Sequence, residues 1–177
     1  MKKQSVNIEN LAGKILIAHP IIEDKRFKKS VVFLESCSEN ESIGIILNRP
    51  LGFMLKAMGK NFADLPIGHS PVYYGGPDGS NTVMQTAWVL NKSEGTFEIY
   101  YTLSVDEATR LMREKPCMQL RSYLGYCKFG SKLFKDIQNG VWVVGHVRSL
   151  LGAQEHEEEL WSCLLRKEHP NALLYKN

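Results

Sequence analysis

The residues with chemistry to offer in this chain of 177 residues are five histidines, four cysteines and a few glycine-rich stretches. Cys37, Cys117, Cys127 and Cys163 are scattered, with no Cys-x-x-Cys pair. That spacing writes neither a zinc ribbon nor a thioredoxin-like redox centre, and thiols so isolated read as small core residues. His156 opens the run His-Glu-Glu-Glu-Leu, which puts Leu160 where a zinc-protease helix needs its second histidine one turn along. His19, His69, His146 and His169 lie far apart without a ligand-spaced acid or cysteine, so no metal and no cofactor is expected. Ser30, His19 and Asp24 include the residue types of a nucleophilic triad, but no Gly-x-Ser-x-Gly elbow accompanies them. Gly125 and Gly130, followed by Ser131 and Lys132, imitate a P-loop with its last two residues exchanged. A P-loop sets lysine directly after the second glycine to reach the phosphates, so an ordinary glycine turn with Ser131 capping the next helix is expected instead. No catalytic residue is assigned: the leading reading is a non-enzymatic regulatory or interaction protein, and the alternative is a small-molecule or phosphate-ligand binding protein or enzyme using the Asn48/Arg49 and Gly75/Gly76 turns.

Three short motifs stand above this background: Asn48-Arg49-Pro50, Gly75-Gly76-Pro77 and Gly125-Tyr126. Paired glycines permit backbone angles that other residues resist. A guanidinium on such a surface suits carboxylate or phosphate. The competing reading pairs Arg49 with an acid such as Asp24 or Asp64. Asn48, Arg49, Gly75, Gly76 and Tyr126 therefore form the candidate binding set, for a protein partner or a small anionic ligand. Both of the first two motifs follow short strands, which is expected to bring Asn48, Arg49, Gly75 and Gly76 into one neighbourhood.

The elements that must position these residues follow from the apolar pattern. Residues 14–19, 30–34, 43–47, 72–74, 82–90, 96–103, 118–124 and 141–144 read as strands, with hairpins joining 30–34 to 43–47 and 82–90 to 96–103. Helices are expected at 52–60, at 131–139 and at 154–167, the last with Leu160, Cys163 and Leu164 as its buried face. Another begins after Ser104, whose hydroxyl and Glu107 three residues on can form a capping box. Strands and helices mix without regular βαβ alternation, which predicts an α+β fold with a mixed, largely antiparallel sheet. No linker or repeat divides residues 1–177, so one domain is expected.

The balance of 22 basic and 19 acidic residues, a net +3, is too small for polyelectrolyte attraction to dominate. The cluster Lys25, Arg26, Lys28 and Lys29 reads as a solvated loop. With no recognition helix in the pattern, direct DNA binding is expected to be weak. No stretch approaches the roughly 20 apolar residues of a membrane span, and the N-terminal residues have no signal-peptide core, so a cytoplasmic location is expected.

The blocks LAGKILIAHPIIEDKRFKKSVVFL, GIILNRPL, PVYYGGP, LGYCKFG and NGVW, in this order and spacing, resemble the AlgH/YqgE family over nearly the whole chain. The resemblance implies an α+β domain whose mixed sheet curls toward a barrel with helices packed outside. It implies no settled activity; a role as a transcriptional regulator rests on the resemblance alone. The chain departs from the family pattern at Cys37, where histidine is usual, at Glu41, where glycine is usual, and at Lys132, Leu133 and Phe134, where Gln-Leu-Glu is usual. Any family chemistry that used that histidine or glutamate is therefore not expected here.

Overall fold

A computed structural model describes residues 11–91, 93–153 and 159–175. Alternating and continuous β-branched runs become nine strands: β1 (Lys14–Ala18), β2 (Val31–Cys37), β3 (Glu41–Ile46), β4 (Pro50–Met54), β5 (Pro71–Tyr74), β6 (Asp78–Asn91), β7 (Thr96–Tyr100), β8 (Met118–Gly130) and β9 (Trp142–His146). Among the described residues four α-helices are interspersed: α1 (Lys60–Ala63), α2 (Val105–Glu114), α3 (Lys132–Gln138) and α4 (Leu160–Glu168). Short 3₁₀ turns fill several of the connections. This is an α+β fold.

The strands form one sheet in the order β4-β5-β8-β3-β2-β1-β9, with β6 and β7 branching from β8. Among the described residues only β5 and β8 pair in parallel; every other ladder is antiparallel. The long β8 organises the whole. Its first half lies between β6 and β5, through pairs such as Trp88↔Gln119 and Val72↔Ser122, while its second half turns to β3 through Gly44↔Cys127 and Ser42↔Phe129. The sheet is not closed into a barrel: β4 and β9 end the strand order without pairing to each other.

The main core lies around β1, β2 and β3, where Ile15, Leu16, Ile17, Val31, Val32 and Phe33 are all buried. Burial on both faces explains why these strands read as unbroken apolar runs. Helix α4 covers one side with Leu160, Trp161, Leu164 and Leu165, and the Trp161 indole N–H donates to the Ala18 carbonyl at 2.7 Å. Cys163, expected on that face, is only partly buried. Residues 154–158, the acidic start of the expected helix, lie outside the described residues, as does His156. A smaller core of Leu55, Ile67, Val72 and Ala108 lies under α2. The capping box of α2 is present, with the Glu107 N–H donating to Ser104 Oγ at 3.2 Å and the Ser104 N–H donating to the Glu107 carboxylate at 2.8 Å.

Two expectations are corrected. Residues 52–60 are not a helix: β4 runs to Met54 and is followed by a 3₁₀ turn at Leu55–Met58. The reason is pairing, since Pro50 lies opposite Tyr73 and Met54 opposite Pro71, while Gly52 takes φ +79°, outside helical space. Of the apolar residues in this segment, only Leu55 is buried. The second correction is at Gly125 and Tyr126, which sit within β8 rather than in a turn.

Candidate functional site

The Asn48-Arg49 and Gly75-Gly76 motifs meet. The Tyr74 N–H donates to the Arg49 carbonyl at 2.8 Å, the Ile46 N–H donates to the Gly75 carbonyl at 2.7 Å, and the Arg49 guanidinium lies 5.8 Å from the Tyr74 ring centroid. The glycines are there because two backbones cross. Leaving β5, the chain passes over β8 at Gly125 to reach β8's other side as β6. A Cβ on Gly75 would lie 2.2 Å from the Gly125 carbonyl oxygen, and one on Gly76 would lie 2.2 Å from the Tyr126 backbone. Gly125 itself has φ +70°, and a Cβ there would meet the Gly76 carbonyl at 2.5 Å. Close approach therefore explains all three glycines, and Gly75 needs no left-handed angle to account for it.

Asn48 and Arg49 turn their side chains toward the loop 24–29. Asn48 Oδ1 accepts from the Val31 N–H at 2.9 Å, and its Nδ2 donates to the Lys29 carbonyl at 2.9 Å. Arg49 donates to the carbonyls of Lys25 at 3.3 Å and Lys28 at 3.2 Å. Arg49 thus pairs with neither Asp24 nor Asp64; it holds backbone. Asp24 is occupied by Arg26, whose Nη2 lies 2.7 Å from its Oδ2, and that contact holds the Asp24 carboxyl below its ordinary range. Within the loop, the N–H groups of Phe27 and Lys28 donate to the Asp24 carbonyl. The Phe27 ring packs on Phe129 and Trp142 at 5.5 and 5.8 Å. Lys29 takes φ +57°, a conformation disfavoured for a residue with a Cβ and stabilised here by the Asn48 bond. The result is a fixed loop whose four cations, Lys25, Arg26, Lys28 and Lys29, are exposed.

Beneath the loop, Tyr74, Asp78 and Cys127 complete the neighbourhood. Burial raises the Tyr74 phenol above its usual range, with Arg49 pulling the other way, and burial pushes the Cys127 thiol up to about 12. Such a thiol stays protonated and is no nucleophile. Asp78 accepts from the Lys128 N–H at 2.9 Å. Tyr126 lies next to the crossing, where its ring would be met by a side chain on Gly79.

The remaining expectations sort plainly. Ser30 Oγ donates to the Phe27 carbonyl at 2.6 Å and Asp24 is held by Arg26, so Ser30, His19 and Asp24 form no triad. His19 instead meets His169 edge to face at 6.2 Å, a contact that no spacing revealed. Gly125 to Gly130 is strand, not phosphate-cradling loop, and Ser131 makes no capping hydrogen bond to α3, contrary to expectation. Among the described residues, no group of three His, Cys, Asp or Glu side chains is placed to hold a metal. Cys37 accepts from Ser42 Oγ at 3.1 Å, Glu41 pairs with Lys128 at 2.6 Å, and Lys132 pairs with Asp136 at 3.6 Å, so these three departures from the family pattern have local partners.

Sequence reasoning missed two features. Glu35 sits at a bulge in β2, between Leu34 and Ser36. One of its oxygens accepts weakly from Thr102 at 3.5 Å, the other is buried without a partner, and burial raises its carboxyl to about 7. The second is a groove of about 650 Å³ where β8 begins, floored by Trp88 and Phe97. A smaller groove of about 250 Å³ adjoins it between Pro66, Met112 and Leu120. Neither groove is lined by Asn48, Arg49, Gly75, Gly76 or Tyr126.

Among the described residues, no helix is long and apolar enough to cross a membrane. The family model described as AlgH-like matches residues 15–172. A UPF0301 protein of Bacteroides fragilis is 30% identical over 173 residues, covering 94% of this chain and 87% of that protein. One from Legionella pneumophila strain Lens is 28% identical over 167 residues, covering 87% of each. A crystal structure of a Corynebacterium diphtheriae protein matches with TM-score 0.70 at 18% identity, covering 100% of this chain and 95% of that one. The solution structure of AlgH from Pseudomonas aeruginosa matches with TM-score 0.63 at 22% identity, covering 100% and 98%. With the matched model spanning both the braced loop and the backbone crossing, the chain belongs to the AlgH-like family.

Proposed function

We propose that this protein is a non-catalytic, cytoplasmic interaction protein that presents the loop 24–29 to an acidic surface on a protein partner. The observation that carries this reading is where Asn48 and Arg49 spend their hydrogen bonds: both clamp the loop's backbone and leave its cations facing water. A loop already ordered in the free protein loses little conformational entropy on docking, and Lys25 and Lys28, outside the Arg26–Asp24 pair, are exposed charges it offers. Rim cations of this kind set association rate and salt dependence. Any effect on transcription would run through that partner and not through direct contact with DNA, because the net charge is only +3.

The rival reading, a small anionic ligand held by Asn48, Arg49, Gly75 and Gly76, has less support. The Asn48 amide and the Nη2 of Arg49 are already engaged, and the glycines are covered by the β8 backbone. The test is retention of partners from native cytosol at low and moderate salt by the wild type and by Lys25→Glu/Lys28→Glu. The expected result is a partner held at low salt by the wild type and lost in the double variant, with melting temperature unchanged. Equal retention by both proteins, or reproducible turnover of a substrate, overturns the proposal.

A further inference from the structure

The groove at the start of β8 arises from a mismatch in strand length. Strand β6 pairs with β7 as far as Asn91↔Thr96, but its pairing with β8 stops at Val89↔Met118. Leu90 and Asn91 thus outrun β8, whose lead-in, Lys115 to Cys117, bends away and forms the far wall. Trp88 and Phe97 make the floor, locked edge to face at 5.5 Å and themselves nearly fully buried. Leu90, Pro116 and Met118 extend the apolar walls, and among the described residues Lys115 is the one charged residue lining it. The Lys115 ammonium rests 5.6 Å from the Tyr100 ring centroid, and among the described residues no carboxylate pairs with it.

We infer that this groove binds a small molecule with an apolar body and a carboxylate, the body lying against Leu90, Pro116 and Met118 above the buried Trp88 and Phe97, and the carboxylate facing Lys115. A volume of about 650 Å³ falls in the range of small-ligand sites. An added peptide strand fits poorly, because only Leu90 and Asn91 offer a free edge and a strand needs several consecutive partners. Among the described residues Lys115 is the single cation of the groove and has no carboxylate partner, which favours a carboxylate over a neutral ligand. The site is about 23 Å along β8 from the Gly125 crossing, so it is independent of the braced loop.

Cys117 supplies the readout, being the exposed member of the four cysteines and part of the groove wall. The experiment measures the rate of iodoacetamide alkylation at Cys117, by mass spectrometry of the folded protein, against increasing 2-naphthoate or its neutral amide. Saturable protection by naphthoate is expected, with the amide about tenfold weaker. Lys115→Gln should bring the two ligands level while leaving the melting temperature unchanged. No protection of Cys117, equal protection by acid and amide in the wild type, or a preference for the acid that survives Lys115→Gln overturns the assignment.

Discussion

Glu35 gives the clearest case of a single residue whose chemistry is set by its surroundings. The bulge aims its side chain at the 101–104 connection, where one oxygen has Thr102 and the other nothing. Burial lifts its carboxyl from 4.5 to about 7. Because the folded value is the higher one, the contribution of the protonated form is fully present below pH 4.5 and is lost as pH rises toward 7 and beyond. Allowing for partial exposure, the loss is about 1–2 kcal/mol. Glu35→Gln, which keeps the neutral shape, should flatten this part of the pH dependence, as read from urea midpoints at several pH values between 4.5 and 8. Parallel profiles for the two proteins would show that the residue stays ionised throughout. Arg49 teaches a related lesson. An arginine beside a proline and glycines looked free to take a ligand, yet it satisfies two carbonyls of a loop more than twenty residues earlier in sequence. Residue type and spacing revealed that Arg49 matters but not to what, because its partners are main-chain atoms that carry no sequence signal.

At the scale of elements, most strands and the Ser104 cap were legible because periodicity, glycine breaks and capping chemistry are local. The exceptions have non-local causes. The 52–60 segment contains residues able to form a helix, and tertiary pairing with β5 overrode that preference. Gly125 looked like a turn because glycine breaks strands on average, whereas here it lets one strand pass another. Such a crossing is visible only once β5, β6 and β8 are in place. It also makes a sharp prediction. Gly75→Ala forces a Cβ against the Gly125 carbonyl oxygen at 2.2 Å, where neither backbone can yield. It should cost about 3 kcal/mol or more, at the upper end of overpacking effects. Gly130→Ala, with open space around it, should stay within about 0.5 kcal/mol of the wild type. Denaturant titration of the two variants compares them directly, and a Gly75→Ala protein as stable as Gly130→Ala would remove the crossing as the reason for the motif.

For the whole molecule, the α+β class was legible from the irregular mixture of strands and helices, but the open sheet and the branch at β8 were not. Strand order depends on pairings between segments far apart in sequence, which no local pattern encodes. The expectation of one domain now takes a testable form. Trp88 lies by the first half of β8, whereas Trp142 and Trp161 lie with β9 and α4 at the other end of the sheet. Since β8 takes part in both ladders, loss of one should entrain the other. In a variant retaining Trp88 alone, and likewise in one retaining Trp161 alone, the urea midpoint by fluorescence should therefore coincide with that variant's own midpoint by far-ultraviolet circular dichroism. Midpoints separated by more than about 0.5 M would reveal two units that melt independently.

The central position of β8 also governs what a ribosome-bound chain can do before synthesis is complete. A nascent chain that stops short of Met118 can form the β2–β3 and β6–β7 hairpins, but β3, β5 and β6 each lack the neighbour that joins them. Their open edges and apolar faces stay exposed while the later third of the chain is made. The two halves would therefore join only when the segment ending at Gly130 clears the exit tunnel.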